Sequence, residues 1–108
     1  MKLQNLTPHK IAVHDEDGNR VLTVDPSGDV ARVSVVNELS HHVTGIPVYT
    51  QVIGDVVDLP PSKAGVVYVV STLVRTSIPS RTDLASPGDL IRDDAGNPVG
   101  CRGLVFNH

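Results

Sequence analysis

The chain has 108 residues, a mass of 11.5 kDa and a formal net charge of −3, so we expect one domain over residues 1–108. The acidic surplus argues against nucleic acid as a partner, and the single cysteine excludes an internal disulfide and a zinc site built from four thiolates. Nineteen valines against three aromatic residues favour strands, because branched side chains pack well on a pleated sheet.

The first third of the chain is typical of short strands joined by turns. Residues 10–14 and 20–24 alternate between apolar and polar side chains, and Asp17-Gly18 between them predicts a hairpin turn. Residues 30–36 predict a third strand. The polar stretch over residues 37–45 then predicts a loop.

The middle of the chain contains the strongest strand pattern. Residues 46–53 predict a strand that Gly54 breaks and that resumes afterwards. Residues 66–70 are apolar on both faces, which indicates a central, buried strand. Residues 71–78 begin with a capping serine and have helical spacing, so we expect one short helix here.

The last third predicts a long connection over residues 79–89, followed by strands over 90–92 and 99–106. The predicted fold class is therefore mainly β (α+β): a small, mostly antiparallel sheet or partly closed barrel with one short helix after the central strand. The connections over residues 37–45 and 79–89 are where we expect a functional site.

Several short motifs give the chain a family resemblance. It opens with Asn5-Leu6-Thr7-Pro8-His9, continues through Arg81-Thr82-Asp83-Leu84, and ends with Gly96-Asn97-Pro98-Val99-Gly100-Cys101-Arg102. The chain resembles small uncharacterised proteins of bacteriophages, prophages and actinobacterial genomes that open with the same Asn-Leu-Thr-Pro-His string. The resemblance implies a setting, that of a phage or mobile-element accessory protein, and no particular chemistry.

One group of candidate ligand-binding residues surrounds the predicted helix. Ser71 stands where the central strand gives way to the helix, so its hydroxyl either caps the helix or contacts an anion. The guanidinium groups of Arg75, Arg81 and Arg92 could hold a phosphate or carboxylate. For Arg81 the alternative is an internal ion pair with Asp83 that pins the long connection.

A second candidate group lies in the opening motif. Asn5, Thr7 and His9 can point the same way along an extended segment, either to bind a ligand or to tie the segment to the sheet. We expect no metal site, because adjacent residues such as His41 and His42 face opposite ways on a strand. No nucleophile with its base can be identified, so no catalytic residue is assigned.

These observations favour a non-enzymatic accessory protein that binds a host component or a small anionic, nucleotide-like ligand in the cytoplasm of the host cell. One alternative is a virion structural or decoration protein, which we rank second because no stretch indicates an extended assembly arm. The other is a small hydrolase of unknown substrate. We expect no cofactor, since no Gly-rich phosphate loop is present, and no membrane partner. A valine-rich edge strand favours a homo-oligomer.

Overall fold

A computed structural model describes residues 2–107. Within this range the chain forms eight strands and one helix. The elements in chain order are β1 (Lys2–Asn5), β2 (Ile11–His14), β3 (Arg20–Val24), β4 (Arg32–Val43), β5 (Ile46–Val57), β6 (Val66–Val69), α1 (Thr72–Ser77), β7 (Leu84–Arg92) and β8 (Pro98–Phe106).

Six of the strands form a strongly curved sheet in the order β1-β6-β7-β8-β2-β3. Its two edge strands are connected where Asn5 forms a bridge with Pro26, so the sheet is almost a closed barrel. Three of the strand pairings in the protein are parallel and three are antiparallel, and the longest ones, β4–β5 and β7–β8, are antiparallel. The predicted fold class, mainly β with one short helix after a central strand, is confirmed.

The core consists of two clusters on opposite sides of β6. Tyr68 and Val70 contribute to one, which also contains Leu6, while Val69 contributes to the other together with Cys101. β6 pairs in parallel with β1 on one side and β7 on the other. The prediction of a central strand buried on both faces is therefore confirmed, because alternate residues of β6 supply two different clusters.

The helix follows the strand as its sequence predicts. Ser71 is the N-cap, and its hydroxyl accepts a hydrogen bond from the Val74 backbone amide. The side chain of Val74 is buried in the core, which fixes α1 against the sheet. The helix ends before Pro79, because proline cannot donate the next backbone hydrogen bond.

The prediction of a loop over residues 37–45 is wrong. β4 runs through most of this stretch and returns as β5 after a two-residue turn made of Thr44 and Gly45. Both turn residues have positive φ, 50° and 77°, as a type I′ hairpin turn requires. Asp55 and its neighbour Gly54 stand opposite the single residue Ser34, so the predicted break is a β-bulge within a continuous strand.

The predicted connection over residues 79–89 is also too long, because β7 begins at Leu84. Pro87 and Gly88, which fall in the predicted connection, lie inside the strand, and Pro87 pairs with Leu104 of β8. Here glycine allows two backbones to approach closely: a Cβ atom on Gly88 would collide with the carbonyl oxygen of Arg102.

We therefore expect Gly88→Ala to lower the free energy of unfolding by about 1–3 kcal/mol, because the β7–β8 pairing must move apart to admit the methyl group. Urea unfolding followed by circular dichroism measures the change. Asp89→Ala, at the exposed neighbouring position, is the matched control and should change stability by less than about 0.5 kcal/mol. Equal stability of the two variants would contradict this description of the β7–β8 contact.

Candidate functional site

The opening motif forms a buried hydrogen-bond network around Asn5. The Asn5 side-chain amide donates to the carbonyl oxygens of His9 at 2.8 Å and Val24 at 3.1 Å. Its Oδ1 accepts from both the backbone amide and the hydroxyl of Thr7. The Asn5 carbonyl oxygen accepts from the backbone amide and the hydroxyl of Ser27. Asn5 thus connects the end of β1 to the end of β3, where the barrel closes.

The structure brings Asn5 and Thr7 together, and both side chains are buried. His9 takes part through its backbone carbonyl, while its side chain is exposed. The polar atoms of Asn5 and Thr7 are occupied by internal partners, so the geometry favours the structural interpretation of this motif. A ligand-binding role for these residues stays a prediction.

Arg81 and Asp83 form a mostly buried ion pair held by two parallel hydrogen bonds. Nε and Nη2 of Arg81 donate to the two carboxylate oxygens of Asp83 at 2.7 and 2.8 Å, and Nη2 also donates to the carbonyl oxygen of Pro60 at 3.1 Å. The hydrogen bonds from Arg81 hold the pKa of Asp83 below its usual value, and the carboxylate raises the pKa of Arg81. The pair joins the segment before β7 to the segment after β5.

Arg75 belongs to a separate network at the end of the helix. Its Nε donates to the hydroxyl of the buried Ser86 at 2.7 Å, and its Nη1 donates to Oδ1 of Asn107 at 3.0 Å. The amide of Asn107 donates in turn to the carbonyl oxygens of Arg75, Ile78 and Arg81. Asn107 therefore caps the helix end. Sequence reasoning did not single it out, since no local pattern shows that the last strand ends beside α1.

The three candidate arginines do not converge. Arg92 is exposed at the far end of β7, and its Nη1 donates to the carbonyl oxygen of Gly96. Arg75 and Arg81 are linked only through their backbone carbonyls, which share the Asn107 amide. Their guanidinium groups face different partners, so this geometry does not present a joint site for one anion.

His41 and His42 lie in β4, whereas Cys101 lies in β8. His41 stands opposite Val48 and His42 opposite Pro47, so the two rings project from opposite faces of the hairpin. Among residues 2–107, no group of three potential metal ligands lies close enough together to hold an ion. Cys101 is a buried core residue, and burial raises the pKa of its thiol.

The most unusual surface is the β4–β5 hairpin, residues 32–57, which we call the β-arm. Its two 12-residue strands form a sheet of their own, separate from the barrel. Only its base touches the core, through Val33 and Val56. The structure thus contains an extended arm that no stretch of the sequence indicated, in the region where a loop was predicted over residues 37–45.

The β-arm carries exposed apolar side chains on both of its faces. One face, here called the inner face, continues outward from the core-packed pair at the base and carries Val35, Leu39, Tyr49 and Ile53. The opposite, outer face carries Val36, Val43, Ile46 and Val52. Leu39 and Tyr49 pair across the strands and are each 56% exposed, and Ile46 is 63% exposed. Large patches of exposed apolar side chains are uncommon on compact monomeric proteins.

Two open depressions lie beside these elements. One is at the base of the β-arm and is lined by Asp29, Arg32, Asp58 and Leu59. The other lies along the outside of β2 and β3. Neither includes a residue of the two candidate groups described above.

Comparison with known proteins adds no functional assignment. No protein-family model matches the chain, and no match was found among curated proteins or solved structures. In residues 2–107 the sole helix is α1, and at six residues it is too short to cross a membrane.

We expect Asp83→Asn to lower the free energy of unfolding by about 1–3 kcal/mol at pH 7, because it removes the carboxylate that Arg81 binds. Below about pH 4 the difference from wild type should shrink. In that range the unfolded chain takes up a proton at residue 83 before the folded chain does, so wild type loses the stabilisation as pH falls.

Urea unfolding between neutral and acidic pH measures this difference. Asp94→Asn is the matched control, since it removes an exposed carboxylate outside the ion pair. A deficit of Asp83→Asn that stays constant down to the lowest pH at which both proteins fold would contradict the assigned role of the pair.

Proposed function

We propose that this chain is a non-enzymatic accessory protein of a phage or mobile element that acts by binding a protein surface with its β-arm. The observation that carries the proposal is the arm itself: two 12-residue strands that leave the barrel with apolar side chains exposed on both faces. The phage or mobile-element setting rests on the sequence motifs that open and close the chain.

Contact is favoured over catalysis by what the polar candidate residues do. Asn5 and Thr7 bind each other and nearby carbonyls, and Ser71 caps α1. An enzyme needs a nucleophile or base that is free to meet substrate at an accessible position. The side chains that the sequence offered for such a role instead hold the fold together, which supports a binding protein.

A protein partner is favoured over a small anionic ligand by the character of the surfaces. The guanidinium groups of Arg75 and Arg81 are engaged by internal acceptors, which leaves them less able to bind a phosphate. The β-arm in contrast presents Tyr49 beside Leu39, with few charges near them. Aromatic residues and depletion of charge characterise the centres of protein–protein interfaces.

The second candidate function, a structural part of the virion, is favoured by the same arm. A β-ribbon that projects from a small barrel suits assembly, because a partner chain can pair with its open strand edges. The two candidates share one contact surface and differ in where the contacted protein is found. Mass spectrometry of purified virions separates them, since a structural part must be present in the particle.

Site-specific photocrosslinking in the bacterium that carries the protein tests the contact surface. A photoreactive amino acid replaces Tyr49 in the β-arm or, as the matched control, the half-exposed Val99 on the barrel. We expect position 49 to form one reproducible crosslinked protein species and position 99 to form none or much less. A result in which position 49 yields no species beyond those of position 99 would refute the proposed function.

A further inference from the structure

We propose that the partner of the β-arm is the β-arm of a second copy of this chain, so that two copies associate arm to arm about a twofold axis. This inference rests on the proposed function and names the occupant of its contact surface. Four features of the arm support self-association: its exposed area, its charge, its open strand edges and its continuity with the core.

The exposed area is larger than a compact monomer needs. The chain exposes 7157 Å², whereas a compact monomer of 11.5 kDa exposes about 5,800 Å². The excess of about 1,350 Å² is more than the roughly 800 Å² that each partner buries in a standard interface. The radius of gyration, 16.7 Å, also exceeds the value of about 13 Å expected for a compact domain of this length. One chain therefore carries enough surplus surface for a stable dimer.

The charge of the β-arm suits a copy of itself. Arg32, Glu38 and Asp55 are the three charged residues of its strands when histidine is neutral, and two of them lie near the base. The strands thus have a net charge of −1, which gives weak repulsion between copies. A partner that binds by opposite charge requires a charged patch on the arm. The exposed side chains along the middle of the arm are instead mostly apolar or uncharged.

The backbone of the β-arm also has room for another strand. β4 and β5 form a two-stranded sheet, so the outer edge of each strand has unpaired backbone groups. A two-stranded ribbon alone is at best marginally stable in water, whereas three or more strands with an apolar face are stable. A twofold axis beside the ribbon would produce a four-stranded sheet in which each copy contributes the same edge.

The inner face of the arm is continuous with the core of its own barrel. Val33 and Val56 pack on the core cluster. Further out on the same face lie two exposed apolar pairs, Val35 with Ile53 and Leu39 with Tyr49, with the polar pair Asn37 and Gln51 between them. When two arms associate, these outer pairs enter a joint apolar layer that extends the core of each copy. In the four-stranded sheet, the apolar side chains beside the shared edge cover one another in part, and this loss of exposed apolar area is the driving force that we assign to association.

Sedimentation equilibrium of the full chain between about 1 µM and 1 mM, a range that covers weak to moderate association, tests the proposal. We expect a reversible species of twice the 11.5 kDa chain mass. Leu39→Lys should weaken association by at least about ten-fold, because it places like charges together at the twofold contact. Val99→Lys adds the same charge at a similarly exposed position on the barrel and should leave association unchanged.

Circular dichroism shows whether each variant is folded. If Leu39→Lys does not fold, Tyr49→Ser, which adds no charge, replaces it as the arm variant. A wild-type mass of one chain at every concentration overturns the proposal, and so does an association that Val99→Lys weakens as much as Leu39→Lys. A monomeric wild-type chain whose position 49 crosslinks to another protein would leave the proposed function standing and refute self-association. A chain that crosslinks to nothing refutes both.

Discussion

The barrel closes at Asn5, and this closure determines which parts of the chain pack inside the barrel and which remain outside. The Asn5 side chain and carbonyl bind the end of β3, the turn after it and the opening segment, so the two edge strands of the six-stranded sheet meet. A nearly closed sheet fills its interior with its own side chains, here Ile11, Val13, Val69 and Cys101 of β2, β6 and β8. The β4–β5 hairpin is therefore left outside the barrel, where its base packs on the cluster that contains Tyr68 and Val70.

The exposed apolar character of the β-arm follows from this exclusion. Only the base of the hairpin reaches the core, through Val33 and Val56, and the bulge opposite Ser34 lies where the hairpin leaves the barrel. A ribbon that exposes apolar side chains on both faces is stabilised when a partner covers them, because their contact with water is unfavourable. The polar candidate residues differ from the arm, because most of their hydrogen bonds go to other parts of the same chain and stabilise the barrel and the helix.

Local patterns predicted the elements whose folding depends on local physics. The hairpin around Asp17-Gly18, the doubly apolar strand β6 and the helix capped by Ser71 are all confirmed. The failures arose where a strand does not pack on the core. Residues 37–45 are polar because they lie in an exposed arm, and their Thr44-Gly45 turn lacks the asparagine that typically marks such a turn. The cap supplied by Asn107 depends on contacts between distant segments, which no local pattern contains.

Hydrogen exchange of the backbone amides at several protein concentrations detects arm-to-arm association in the unaltered chain, because it reports on the β-arm without any substitution. Amides on one outer edge of the arm, that of β4 or that of β5, should become more protected as concentration rises, while those of β6 inside the barrel should not change. Protection of the β-arm that is the same at every concentration would contradict the account.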